Sequence, residues 1–171
     1  KYQFAGSITP DDRQILFAEG SSNTRSSDIA VLTLGSGEPP EVLFNSDFNE
    51  FDPMISPDGH WLAYGSDRSG TEEVYVRPFP NLGDSEIQIS VGGGLQPRWS
   101  ADGRELLYVG PTDLMATTIA TELKFAPGRP EPILNLGGYQ FYDLGNFDIA
   151  PDGQRFLMVK RVANDDFPVN R

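Results

Sequence analysis

Residues 56–80 read SPDGHWLAYGSDRSGTEEVYVRPFP, and this stretch predicts two β-strands and two turns. Pro57 presets φ for the second position of a type I turn, Asp58 suits the third position, and Gly59 can take the left-handed conformation that closes a hairpin. The segments WLAY and EVYVRPF that follow are short and rich in β-branched and aromatic residues, as strands usually are.

The opening phrase of this stretch occurs four times along the chain. The copies are TPDDRQILF (9–17), SPDGHWLAY (56–64), SADGRELLY (100–108) and APDGQRFLM (150–158). Their starts lie 47, 44 and 50 residues apart, a period typical of propeller blades. Asp12 replaces the glycine in the first copy and Ala101 replaces the proline in the third. Both replacements are compatible with the same turn, because Asp tolerates a left-handed φ better than most residues.

Further strand segments accompany each phrase at matching offsets. A third strand is predicted from DIAVLTL (28–34), EVYVRPF (73–79) and DLMATTI (113–119), and a fourth from PEVLFN (40–45), EIQISV (86–91) and EPILNL (131–136). With the strand that precedes each turn, the unit is a four-stranded antiparallel meander. Segments such as WLAY are apolar on both faces, so each sheet must be covered on both sides, as radially stacked blades are. A two-sheet sandwich is the alternative, but it would not need so regular a period.

We therefore predict an all-β fold, with residues 1–171 forming a single partial β-propeller domain of about three and a half blades. The predicted boundaries are blade one at 4–45, blade two at 51–91, blade three at 95–136 and an incomplete blade four at 145–171. Known propellers have about four to eight blades, so these blades cannot close a ring. The end blades would expose an apolar face and an unpaired strand edge. We expect either that the chain is part of a longer propeller or that two copies complete one another.

Composition excludes several classes of partner and site. The chain has 13 basic and 25 acidic residues and a net charge of −12, which disfavours nucleic acids and anionic lipids as partners. No apolar run approaches the roughly 20 residues that span a bilayer, so no membrane insertion by this segment is expected. The absence of cysteine excludes disulfides and thiolate metal sites. The single histidine, His60, follows a predicted turn at a position held by Arg13, Arg104 and Gln154 in the other copies, so it is interpreted as a surface residue and not as a catalytic base.

Two other segments could be read as ligand sites. The run NSDFNEFD (45–52) offers the hard oxygens of Asp47, Asn49, Glu50 and Asp52, which suit calcium. It lacks the glycine and the glutamate of a calcium loop, so an ordered, solvated connector is favoured and calcium is the weaker interpretation. The run VGGGLQP (91–97) lacks the lysine and helix of a phosphate loop, so it is predicted to be an inter-blade connector with positive φ.

In a propeller, the connectors between blades lie at the same end as the loops that join second and third strands, here 19–27, 66–71 and 110–113. We call this end the loop face. Eight residues are predicted to gather there around the ring axis: Arg25, Asp47, Asn49, Glu50, Arg68, Gln96, Tyr139 and Tyr142. Loops on a rigid scaffold commonly carry binding residues, so we predict that a protein or small ligand binds here. No catalytic residue, metal ligand or cofactor is assigned, apart from the calcium alternative.

The segments SPDGHWLAYGSDRSGTEEVYVRPFP and QPRWSADGRELLYV resemble the TolB-like propeller repeat, a relative of the WD repeat. The resemblance is strongest to the C-terminal propeller of bacterial eukaryotic-type Ser/Thr kinases, where runs like EVYVRPFP, GGGLQPRWSADGRELLY and DIAPDGQRFLM recur. It implies a non-catalytic binding or scaffold module, as the sensor region of a larger, extracytoplasmic or periplasmic signalling protein. The same repeat builds propellers of tricorn-type and prolyl-oligopeptidase-type peptidases. One alternative is therefore an accessory, gating propeller of a serine peptidase. A separate alternative is a propeller enzyme with a channel metal, which would need carboxylates that converge on the ring axis.

Overall fold

The described part of the chain forms β-strands arranged as successive propeller blades. The computed structural model describes residues 2–20, 26–44, 46–83, 85–120, 125–137, 147–153 and 155–159. Within these residues there are strands and turns but no helix. The all-β fold predicted from the repeat is therefore confirmed.

Each blade is built from strands that follow one another in sequence. Blade one contains β1 (Tyr2–Ile8), β2 (Gln14–Gly20), β3 (Ser27–Thr33) and β4 (Glu41–Val42). Blade two contains β5 (Glu50–Ile55), β6 (Trp61–Ser66), β7 (Glu73–Pro78) and β8 (Ile87–Gln88). Blade three contains β9 (Leu95–Trp99), β10 (Glu105–Val109), β11 (Asp113–Ala120), β12 (Ala126–Pro127) and β13 (Glu131–Asn135). The described strands of blade four are β14 (Phe147–Ile149) and β15 (Phe156–Met158).

Neighbouring strands pair antiparallel, in the orders β1-β2-β3-β4 and β5-β6-β7-β8 for the first two blades. Blade three follows the same pattern, except that β11 pairs with both short strands β12 and β13 at different points along its length. In blade four β14 pairs with β15. The sheets remain separate and open, as expected for part of a propeller.

The predicted turn between the first and second strands is present in all four copies. Its backbone hydrogen bonds run from Asp12 N to Thr9 O, Gly59 N to Ser56 O, Gly103 N to Ser100 O and Gly153 N to Ala150 O, at 2.8–2.9 Å. The donor residues have φ of 57°, 76°, 70° and 67°, respectively. Asp12 therefore takes the left-handed conformation that glycine takes in the other copies, as the sequence predicted. We call the end of the molecule that carries these turns the turn face.

A side-chain network that recurs in the first three copies holds this turn. In blade two, Ser56 Oγ donates to Asp58 Oδ1 at 2.5 Å and accepts from Trp61 N at 3.0 Å. The same Asp58 oxygen accepts from His60 N at 3.0 Å. Thr9 with Asp11 and Ser100 with Asp102 repeat the arrangement in blades one and three. These local bonds satisfy backbone donors at the turn and pre-order the hairpin.

Successive turns also contact each other across the blades. A Cβ placed on Gly59 would lie 3.6 Å from the Pro10 ring of blade one. A Cβ on Gly103 would lie 3.5 Å from the Pro57 ring of blade two. The turn proline of one blade thus packs beside the turn glycine of the next. Ala101 replaces the proline in the third copy, and a Cβ on Gly153 would meet nothing within 4 Å.

The core consists of apolar layers between adjacent blades. Leu16, Ile29 and Val31 of blade one pack in one cluster with Leu62 and Tyr64 of blade two. Ala63, by contrast, belongs to the next cluster, together with Trp99 and Leu106 of blade three. Adjacent residues of β6 therefore face opposite neighbours, which confirms the two-sided burial predicted for WLAY. A third cluster packs blade three against Phe147 of blade four.

Burial differs between equivalent positions of the first three blades. Ile55 and Trp99 end the inner strands of blades two and three and are 7% and 8% exposed. Ile8 holds the same repeat position in blade one and is 48% exposed, although Phe17 on the same side of that sheet is buried. The side of blade one that faces away from blade two is thus covered only in part. Among the described residues, no helix is long and apolar enough to cross a membrane.

Candidate functional site

A pocket of about 380 Å³ opens on the loop face, where the inner strands β1, β5 and β9 begin. Its apolar lining comes from Tyr2, Phe4, Ala5, Ala18, Phe51 and Leu95. Its polar lining comes from Ser27, Asn49, Asp52, Glu72 and Gln96. The lining therefore draws on three blades, and it lies on the side of the molecule that the sequence predicted for binding.

The repeat explains why three inner strands contribute to the same pocket. Ala5, Asp52 and Gln96 hold one repeat position, four residues before the first residue of each turn. Pairing with the neighbouring strand is irregular in all three blades near this position. Asp52 and Gln96 have φ of 51° and 52°, which is unusual for residues other than glycine. Irregular pairing of this kind is a β-bulge, and β-bulges redirect side chains. Here the bulges place the residues of one repeat position, from three successive blades, in the lining of the pocket.

The aromatic part of the wall rests on glycines. A Cβ on Gly20 would come within 2.2 Å of the Tyr2 ring, and one on Gly65 within 2.1 Å of the Phe51 ring. Only residues without a side chain leave room for these rings to lie against the second strand of each sheet. The Tyr2 ring also lies beside the Phe4 ring, with centroids 5.4 Å apart and the ring planes tilted by 54°.

Asn49 holds the wall at the junction of blades one and two. Its side-chain oxygen accepts from Ser27 N at 3.1 Å, and its side-chain nitrogen donates to Asp67 Oδ2 at 2.5 Å. Its backbone nitrogen donates to Asp67 Oδ1 at 3.0 Å. Asn49 thus connects the start of β3 to the loop that follows β6, and the connector between these blades is ordered by local hydrogen bonds.

Glu50 is a buried carboxyl group next to this junction. Its residue is 4% exposed, and its Oε1 accepts from Ser46 Oγ at 2.6 Å. Its Oε2 is buried and has no hydrogen-bond partner among the residues that the structure describes. Burial raises the pKa of Glu50 to about 7, the bond from Ser46 opposes this rise, and the negative charges of Asp28 and Asp67 add to it.

The connector between blades two and three is held by Glu73. Its Oε1 accepts from Gly92 N at 2.8 Å and from Gly93 N at 3.0 Å, and its Oε2 accepts from Ser90 Oγ. The two glycines have φ of 82° and 119°, which confirms the positive φ predicted for this connector. The backbone amides of this segment therefore bind a carboxylate of the protein itself.

Arg68 belongs to a separate network at the side of blade two. Its guanidinium pairs with Glu86, which also accepts from Tyr64 Oη and, at 2.8 Å, from Arg77 Nε. Burial acts to raise the pKa of Glu86, but the hydrogen bonds from Tyr64 and Arg77 and the charge of both arginines outweigh it and hold the pKa low. This network links β6, β7 and the segment before β8, and its groups are engaged with one another.

The predicted site residues have different positions relative to the pocket. Asn49 and Gln96 line it. Asp47 is exposed on the connector that also carries Asn49, between blades one and two. Glu50 accepts a hydrogen bond from Ser46 beside the pocket, and Arg68 pairs with Glu86. Arg25, Tyr139 and Tyr142 lie outside the described residues. Binding by this set stays a prediction.

The sequence analysis did not assign the aromatic and acidic parts of the lining, namely Tyr2, Phe4, Phe51 and Glu72, to a site. The alignment of the repeats offered one signal, because Phe4, Phe51 and Leu95 share a position directly before the bulge. Asp52 was considered only as a calcium ligand. Among the described residues, no group of three or more His, Asp or Glu is placed to hold a metal ion.

Comparison with known proteins gives matches among solved structures. Neither a family model nor a curated protein matches the sequence. A protein described as TolB from Agrobacterium tumefaciens matches 94% of this chain with a TM-score of 0.70 and 19% identity. TolB from Acinetobacter baumannii matches 95% with a TM-score of 0.67 and 17% identity. The β-propeller domain of the Trilobed protease from Pyrococcus furiosus matches 77% with a TM-score of 0.53 and 19% identity.

The matches cover only part of each solved structure. This chain spans 60% of the Agrobacterium protein, 39% of the Acinetobacter protein and 44% of the Pyrococcus domain. At these sequence identities the similarity concerns the fold. The repeated turns, the antiparallel blades and the structural matches together show that this chain has a TolB-like β-propeller fold.

Proposed function

We propose that this chain is a non-catalytic β-propeller module that recognises a protein or small ligand through the pocket on its loop face. The observation that carries the proposal is the convergence of three equivalent bulges, Ala5, Asp52 and Gln96, on one pocket. Two of these positions adopt a backbone conformation that side chains rarely take. Unusual φ values at residues other than glycine often accompany binding or catalytic sites.

The size and lining of the pocket support recognition of a ligand. Its volume of about 380 Å³ lies within the range of small-molecule sites, about 300–1,000 Å³. Aromatic rings form one part of the wall and polar groups another, which is the usual composition of such sites. The blades beneath supply a rigid support, because their cores are closely packed layers of buried side chains.

The position of the single histidine supports a role without catalysis. His60 is exposed on the turn face, at the opposite end of the blades from the pocket. It therefore cannot serve as a general base for a ligand bound on the loop face. The acidic lining is suited to holding a ligand by charge and hydrogen bonds.

We further propose that the module is the sensor region of a larger signalling protein, in which the remaining blades come from the same chain or from a second copy. The resemblance of the sequence to kinase-linked propellers supports this role. The alternative is an accessory propeller of a serine peptidase, and the match to the Pyrococcus protease domain favours it. A hydrolase domain with a G-x-S-x-G motif in the intact gene would favour the peptidase, and a kinase domain would favour the sensor.

A fragment screen by NMR tests the proposed function. Binding fragments should shift the amide signals of Phe4, Phe51 and Gln96 and leave those of Gly59 and Gly103 on the turn face unchanged. Where a partner protein is known, alanine substitutions at Tyr2 and Asp47 should weaken its binding more than alanine at His60 and Arg104. Fragments or partners that bind only at the turn face would contradict the proposal.

A further inference from the structure

The described lining of the pocket combines aromatic rings and carboxylates, and it contains no basic side chain. We propose that the pocket binds a ligand that presents an ammonium group on an apolar body, either as a free organic amine or as a lysine side chain. This inference rests on the proposed function, because it names the ligand class for the same pocket.

Charge favours a cation over an anion. Asp52 lines the pocket at the bulge of β5, and Glu72 lines it from the loop that precedes β7. A bound carboxylate would lie beside these two acidic side chains, whereas a bound ammonium group would have opposite charge to both. The net charge of −12 gives the whole molecule a field that attracts cations.

Two arginines of the described residues, Arg68 and Arg98, have contacts outside the pocket lining. Arg68 pairs with Glu86, and its guanidinium lies 6.0 Å from the centroid of the Phe48 ring. Arg98 is within electrostatic reach of Asp52, but it donates to Pro97 O at 2.8 Å and lies 5.8 Å from the Phe147 ring centroid of blade four. Neither arginine belongs to the lining. Arg98 thus reduces the charge of Asp52 in part, and Glu72 adds a second carboxylate.

The aromatic groups are suited to the apolar part of such a ligand and to its charge. The Tyr2 and Phe4 rings are 42% and 41% exposed, although they lie on the inner strand of a blade. Together with Phe51, these residues contribute three aromatic side chains to the lining of the pocket. Ammonium groups bind over aromatic faces, most strongly where water is partly excluded, and carboxylates beside the rings add to the attraction.

Three probes of similar shape and different charge test the ligand class: 2-phenylethylamine, 2-phenylethanol and phenylacetate. Each is titrated into the intact chain at neutral pH, with the amides of Phe4, Phe51 and Gln96 as the readout. We expect the amine to bind at least about tenfold more tightly than the alcohol, and phenylacetate not to bind. A capped pentapeptide with a central lysine forms a further arm, and tighter binding of the peptide than of the amine would assign the ligand to a protein partner.

Two substitutions that remove charge test the residues. Asp52→Asn keeps the shape and suits the φ of 51° at this position, because Asn tolerates positive φ. Glu72→Gln alters only an exposed side chain. Each should weaken amine binding about three- to tenfold and reduce the preference for amine over alcohol. Glu131→Gln is the matched control, since Glu131 is an exposed carboxylate on β13 at the outer side of blade three. This control should change neither amine binding nor the preference for amine over alcohol.

The outcomes separate this inference from the proposed function. If the alcohol or phenylacetate binds at the pocket as well as the amine does, the ligand class is wrong and the pocket remains a binding site. Amine binding that both charge-removing variants leave unchanged would also overturn the ligand class. If no probe, peptide or screened fragment shifts the pocket amides, both the ligand class and the proposed function are wrong.

Discussion

The two ends of the blades differ in how closely they follow the repeat. On the turn face the same hydrogen bonds recur from copy to copy, with a backbone bond of 2.8–2.9 Å in each of the four turns. On the loop face the two junctions that the structure describes are held differently. Asn49 bridges Ser27 and Asp67 between blades one and two, whereas Glu73 binds two backbone amides between blades two and three.

This difference shows which part of the chain specifies the fold and which part is available for function. A turn that repeats must satisfy the same backbone groups in every copy, so its residues vary little. Connectors only need to reach the next inner strand, so their side chains can differ. The pocket and the buried Glu50, whose Oε2 has no partner within the described part of the chain, both lie on the loop face. Binding residues commonly lie on loops that a rigid scaffold supports.

The largest effect is expected from the core that both faces share. Leu62 is fully buried between blades one and two, so Leu62→Ala should lower the free energy of unfolding by about 3 kcal/mol through lost burial and a cavity. Urea denaturation measures this change. Leu157→Ala is the control, because Leu157 is 74% exposed and its truncation should change stability by less than about 0.5 kcal/mol. A loss below about 1 kcal/mol for Leu62→Ala would contradict the packing of these two blades.

The next largest effect is a pH-dependent change in stability at the loop face. The pKa of Glu50 is raised to about 7 in the folded protein, above an unfolded value near 4.3. The stability that the neutral group contributes is therefore fully present below about pH 4 and is lost as the pH rises through about 7. Glu50→Gln should remove this loss and stabilise the protein by on the order of 2 kcal/mol at pH 8, with little change at pH 4.

Unfolding at pH 4, 6 and 8 measures this dependence. Glu41→Gln is a matched control, since Glu41 is exposed on the short outer strand β4 and should show no such difference. If Glu50→Gln has the same effect at all three pH values, the pKa of Glu50 does not differ between the folded and unfolded states, which would contradict the raised pKa.

A smaller effect is expected from the repeated turn. Ser56→Ala removes the hydroxyl that donates to Asp58 and accepts from Trp61 N, and should cost about 1 kcal/mol. The fourth copy has Ala150 at this position, so Ala150→Ser should add up to about 0.5 kcal/mol. Thermal unfolding compares the two variants, and neither should alter ligand binding on the loop face. Changed ligand binding in Ser56→Ala would mean that the two ends are coupled.

The smallest effect compares the two residue types that occupy the left-handed turn position. Gly59→Asp should cost about 0.5–1 kcal/mol, because a side chain raises the energy of a φ of 76°, while its Cβ would make only an ordinary contact with Pro10 at 3.6 Å. Asp12→Gly should change stability by less than about 0.5 kcal/mol, since relief at a φ of 57° is offset by the greater freedom of glycine in the unfolded chain. Equal and opposite effects would contradict this expectation and show that the left-handed position has the same preference for glycine in both blades.

Sequence patterns predicted much of the fold because they depend on short-range chemistry. The left-handed φ at Asp12 follows from the turn phrase, and the opposite facing of Leu62 and Ala63 follows from the alternation of a strand. Asn49 and Gln96 were placed on the loop face from their positions in the repeat, and both line the pocket. Arg68 was placed there by the same reasoning; its guanidinium pairs with Glu86, and binding through Arg68 stays a prediction.

The sequence alone determined the turns, the blade period and the two-sided burial of the strands. These features need only neighbouring residues, or a repeat that shows which segments are equivalent. The tertiary structure decided that Tyr2, Phe51 and Glu72 share one pocket, that Pro10 packs beside Gly59, and that the Glu50 side chain is buried. Each of these three features depends on residues from different segments lying close together in space. How close they lie is set by the pairing of the strands and the packing of the blades.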